Sequence, residues 1–144
     1  MTVILGIMAA IIFLMYSSYF IHILKGQPQD FEMEILKALA GWMVQQGSSS
    51  KMKMWHMFGL SLLIELIYFL LAFIVLANPF MIYLTVAFVG FEAYHYSSLA
   101  VSFKHFFSGQ TKISDIFNWK TERLSATLFY THAMLVLISL LFPM

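Results

Sequence analysis

Long apolar runs separated by short polar stretches dominate the chain, and the runs have helical length. A bilayer-crossing helix needs roughly 20 predominantly apolar residues. Four runs approach or reach that length, at about residues 2–24, 57–77, 80–103 and 124–141. Asn78-Pro79 separates the second from the third and predicts an antiparallel hairpin over residues 57–105. Gly26 and Pro28 end the first helix. From about 30 to 46 the pattern turns amphipathic, with Phe31, Ile35, Leu36, Leu39, Trp42 and Met43 on one arc and Glu34, Lys37, Gly41 and Gln45 opposite. A Trp-bearing apolar arc predicts a helix in the membrane interface plane, with docking on a partner subunit as the rival. Glu32 is the misfit on that arc, and its place in the first turn suits the helix dipole. Gly47-Ser48-Ser49-Ser50 reads as a flexible joint, and Lys51, Lys53 and Trp55 as anchors at the mouth of the next helix. Residues 108–123, broken at Gly109, predict a second, shorter interfacial element. Pro143 marks a stop after the last run. On helix one, taking His22 as reference, Ile11, Met15, Ser18 and Tyr19 form a slightly polar stripe. The expected architecture is all-α: a single domain over residues 1–144, a four-transmembrane-helix bundle with an interfacial amphipathic helix between helices 1 and 2.

Composition narrows the class. Of 144 residues 61% are apolar and 10% charged, against roughly 45–50% and about 25% in soluble domains. The net charge of +1 argues against a nucleic-acid partner, which requires a basic face. The absence of cysteine excludes disulfides and thiolate chemistry. The eleven methionines suit a lipid-packed bundle, where they fill irregular gaps. No basic stretch precedes the first run and no small-residue cleavage site closes it, so it reads as a retained helix rather than a signal peptide. All eight basic side chains fall in or beside the first and third connections. The positive-inside rule then places both long connections in the cytoplasm and both termini outside, with the plasma (inner) membrane as the expected location.

Candidate chemistry lies where it is costly. Glu65 sits on the second run, Glu92 and His95 on the third, His132 on the fourth. A carboxylate at mid-depth costs about 2.5–3.5 kcal/mol on insertion scales, so such a group is a functional candidate. At about 1.5 Å per residue, Glu65 lies roughly 12 Å from its cytoplasmic edge, Glu92 roughly 18 Å from the outer edge, and His132 roughly 12 Å from the cytoplasmic end. The four groups are therefore expected in one slab near the midplane, facing one another.

Three chemistries fit. Glu92-x-x-His95 is the carboxylate–imidazole spacing of helical-bundle metal sites; with Glu65 and His132 it predicts at most a mononuclear divalent metal, Zn, Fe or Mn. Glu and His chains across a membrane also serve as proton relays, and His22, His56 and His105 could extend one or act as interfacial anchors. Haem b is the third, ligated by His95 with His132 or His22 with His105. No arrangement for nucleophilic catalysis is present, so an enzyme is not the expected reading. The sequence points to a small membrane protein binding protons or a divalent metal, linked to transport or a larger complex. The alternatives are an accessory or assembly subunit with a structural polar cluster, and a haem-binding electron-transfer subunit. Four short helices rarely enclose a pathway alone, so a homo-oligomer or a larger membrane complex is expected.

Overall fold

A computed structural model describes residues 1–142; Pro143, expected as a stop, lies outside the described residues. Among them every regular element is helical: α1 (Thr2–Leu24), α2 (Pro28–Gln46), α3 (Ser50–Val75), α4 (Pro79–Phe107) and α5 (Trp119–Leu141), with short 3₁₀ turns at Gly47–Ser49 and Ile113–Asp115. The boundaries follow local chemistry. Gly26 and Gly109 adopt left-handed backbone, with φ of 72° and 77°. Each lets the next amide close back on the helix, Gln27 N on His22 O and Gln110 N on His105 O, both at 3.0 Å, which satisfies carbonyls that a helix end leaves open. Asn78 Oδ1 accepts the Phe80 amide at 2.9 Å and Pro79 takes the first helical position, which needs no N–H.

Three stretches are long and apolar enough to cross a membrane: Thr2–Leu24, the helical arm Pro28–Val75, whose apolar part falls in α3, and Trp119–Leu141. Helix α4 is longer than any of these except that arm, but Glu92, His95 and its tyrosines and serines dilute its apolar character. Apolar side chains point outward in numbers, among them Ile7 and Leu14 on α1 and Leu60, Leu63 and Leu70 on α3, as a lipid-facing surface requires.

Inside, α1 packs most extensively on α5. Its buried stripe is Leu5, Ala9, Ile12 and Tyr19, a spacing of four, three and seven that matches shallow-angle helix packing. Tyr130 of α5 is stacked between Phe13 at 4.7 Å and Phe20 at 4.1 Å, and Tyr16 stacks on Phe129 at 5.1 Å. Ile11 and Met15, which share the slightly polar stripe with Tyr19, are 51% and 70% exposed. Helix α1 is apolar nearly all round, so periodicity alone cannot choose its inner face; the aromatic residues of α5 do.

Two apolar clusters result. The larger joins α1, α3, α4 and α5 around Leu5, Tyr68, Phe88 and Phe129. The smaller gathers Met54, Phe103 and Ile116, with Leu39, Trp42 and Met43 of α2 packed against it. The apolar arc of α2 thus lies on the protein's own helices. The segment expected as a second interfacial element is divided: Ile116 enters this small cluster, while Trp119, Lys120 and Arg123 belong to α5.

Candidate functional site

A cavity of about 330 Å³ lies between the two clusters, and all five helices line it. Its polar wall is built from two antiparallel rungs between α4 and α5. His95 Nδ1 lies 2.9 Å from Glu92 Oε2, and its Nε2 lies 2.9 Å from Glu122 Oε1. Glu92 Oε1 accepts the Ser125 hydroxyl at 2.6 Å. The pairs Glu92/His95 and Glu122/Ser125 are each three residues apart, so each occupies one helical face, and the two faces meet. Both His95–carboxylate lines need one proton. Either the imidazole carries both between two carboxylates, or one carboxylic acid donates to a ring nitrogen. In every arrangement the trio carries one net negative charge.

Glu65 reaches the same cavity from α3. Its Oε1 accepts the Tyr96 hydroxyl at 2.7 Å, and the Tyr96 oxygen accepts from Ser61 at 2.9 Å. Its Oε2 is buried with no hydrogen-bond partner among the described residues. Glu65, Glu92 and His95 are thus brought to one region, the first through Tyr96 and the others through direct bonds.

His132 is engaged elsewhere. Tyr68 Oη lies 2.7 Å from its Nδ1, and Thr85 Oγ1 lies 2.8 Å from its Nε2. The Thr85 hydroxyl donates to Met81 O at 2.7 Å, so it accepts from Nε2–H, and Tyr68 donates to Nδ1. That satisfies a neutral imidazole completely. Phe69 and Phe88 pack around the ring. The expected common depth assumed a last helix beginning near residue 124. It begins at Trp119, and His132 lies seven residues, about 10 Å, beyond the Ser125 rung. Replacing His132 with leucine is expected to strand Tyr68 and lower stability by about 1 kcal/mol, two ordinary intramembrane hydrogen bonds. Thermal unfolding in detergent measures the loss.

The remaining histidines do not join the cavity. His22 Nδ1 bonds Ser18 O at 2.7 Å and its ring tilts on Phe31; His56 and His105 are exposed. Among the described residues no group of three His, Asp or Glu side chains could hold a metal ion. His95 and His132 each have both ring nitrogens engaged, leaving none free for iron.

Glu32, assigned above to the helix dipole, has a different role. The helix starts at Pro28, which carries Glu32 past the first turn into the protein, where it is 4% exposed. Its Oε1 accepts from Tyr19 Oη at 2.7 Å and Arg123 Nε at 2.6 Å, and its Oε2 from Arg123 Nη2 at 3.0 Å. One carboxylate therefore ties α1, α2 and α5 together beside the cavity. Burial opposes its ionised form, but the hydrogen bonds from Arg123 and Tyr19 and the guanidinium charge outweigh that and hold its carboxyl below the usual range.

Glu122, Tyr96 and Arg123 were not singled out from sequence. A signal existed for Glu122: Asn118 is a helix-start residue, and an acid within the next turn strengthens the reading. No protein-family profile, curated protein or solved structure matches this chain.

Proposed function

We propose that this chain is an integral membrane protein of four crossings that binds and releases protons at the Glu65, Glu92, His95 and Glu122 cavity in the course of transport. The observation that carries the reading is the meeting of two carboxylates, Glu65 and Glu122, with His95 on one cavity, and a third, Glu92, hydrogen-bonded behind that histidine. Glu65 keeps a buried oxygen without a partner among the described residues. Ionisable groups in that setting are typical of proton pathways. A chain Glu92–His95–Glu122 can pass a proton by shifting both shared protons together, without moving a heavy atom. Protons are favoured over a divalent metal because both nitrogens of His95 are already committed to carboxylates.

A fourth crossing by α4 is supported by its bonds on both sides. It meets α3 through Phe58–Phe103 and Phe69–Phe88, and α5 through the Glu92 and His95 rungs. Thr85, Glu92 and His95 are then inward, while Phe80, Tyr83 and Val86 point out. The same antiparallel register brings Lys51 and Lys53 to the end that carries Lys104, which favours a cytoplasmic location for that end. A reporter active only in the cytoplasm, fused to the C-terminus, is expected to be silent; activity would reverse the orientation.

The central test is proton movement in vesicles. With the membrane potential clamped, purified protein should collapse an imposed pH gradient faster than empty vesicles do. A rate equal to empty vesicles, or one untouched by Glu65→Gln and Glu92→Gln, would overturn the proposal.

A further inference from the structure

We propose that the same cavity binds a lipophilic organic cation, an amine or quaternary ammonium on an apolar body, in competition with protons at Glu65. This rests on the proton-binding reading and names the substrate class of that site.

The first argument is charge. Among the described residues no Lys or Arg lines the cavity. The titratable groups that face it are Tyr16 and Tyr19 from α1, Glu65 from α3, His95 and Tyr96 from α4, and Glu122 from α5. Helix α2 contributes only Phe31 and Ile35. Glu92 stands behind His95, and Arg123 is neutralised by Glu32. With its two shared protons the Glu92–His95–Glu122 trio carries one negative charge, and ionised Glu65 adds a second. A cation is the complementary guest.

The second argument is surface. Tyr16, Tyr19, Phe31, Tyr96, Phe117 and Trp119 supply most of the aromatic wall. Aromatic faces attract ammonium groups that are poorly solvated, and gain most where water is excluded. A small, strongly hydrated metal ion would make little use of that wall.

The third argument is access. A crevice of about 430 Å³ runs between α1 and α3, and Met15, Tyr16, Ser61 and Glu65 line both spaces. Its outer lip is apolar, with Ile11, Met57, Leu60 and Ile64 exposed. A guest already dissolved in the bilayer meets this opening before any aqueous one. Glu65, with its unpartnered Oε2, stands at the junction.

The probe is benzyltrimethylammonium, whose charge no pH change removes, with neopentylbenzene as its neutral carbon isostere. Equilibrium dialysis against the full chain in detergent should show saturable binding of the cation that strengthens with pH. An indicator dye should show protons released as it binds. Glu65→Gln should weaken binding by roughly tenfold or more, the effect of removing one partner from a desolvated charge pair, and leave neopentylbenzene unaffected. Equal loss of both compounds, or cation binding indifferent to Glu65→Gln, would overturn the proposal. So would binding by the unaltered chain without proton release, a measurement that needs no variant to fold. In vesicles the cation added outside should accelerate release of internal protons. Gradient collapse that depends on Glu65 but ignores the cation sinks this inference alone. Collapse indifferent to both Glu65 and Glu92 sinks the proton-binding reading beneath it.

Discussion

Arg123→Ala is expected to destabilise the protein by about 2–3 kcal/mol. Removing one partner of a buried ion pair typically costs about 3–5 kcal/mol, because the other charge stays buried and unpaired. Here Glu32 is 4% exposed, while the Arg123 side chain is 32% exposed, so water screens part of the interaction and the lower figure applies. The loss should be local in origin, since Glu32 joins α1, α2 and α5 at one point. The double replacement Glu32→Leu with Arg123→Met should recover much of it, as apolar substitutes for buried pairs often do. Thermal unfolding in detergent decides: a double variant as unstable as Arg123→Ala would mean that the geometry of the pair, rather than the stranded charge, matters. The pair also sets a pH response. The Glu32 carboxyl is held below its unfolded value, so its contribution is complete above the ordinary carboxylate range of about pH 4. It is lost as pH falls through the lower, folded value. Unfolding temperature should therefore be flat around neutrality and fall in acid, and Arg123→Ala should flatten that fall.

The second large effect concerns proton movement. Glu65→Gln and Glu92→Gln should each slow pH-gradient collapse by at least roughly tenfold, a conservative figure for a positioned proton-transferring side chain. Both substitutions nearly preserve shape. With Glu92→Gln the new amide oxygen can still accept from Ser125, but the amide group cannot share a proton with His95. With Glu65→Gln the side chain can still accept from Tyr96, but the free oxygen that would take up a proton is gone. Glu65 lines the cavity and Glu92 stands behind the His95 that lines it; as members of one proton path their losses should be coupled, the double variant being little worse than either single one. Independent, multiplicative losses would show two separate proton sites. A Glu92→Leu variant that moves protons as well as the unaltered chain would reduce the trio to a packing device.

Sequence by itself determined the first apolar span and the breaks after α1, between α3 and α4, and after α4. Those rest on local terms: run length, the left-handed glycines at 26 and 109, and the Asn78-Pro79 start of α4. It also determined that Glu92 and His95 share a face, because three residues is a helical repeat. Periodicity could not choose the inner face of α1, where nearly every position is apolar. It could not give depth to His132, because that depends on where α5 starts and how far α4 overhangs it. Tertiary structure decided both, through the stacking of Tyr130 between Phe13 and Phe20 and through the Glu92–Ser125 and His95–Glu122 rungs. Glu32 shows the limit most directly. Its charge and its misfit on the apolar arc are visible in the chain. Its partner Arg123 is 91 residues away, and only the packing of α2 against α1 and α5 brings the two charges together, since no local rule acts over that separation.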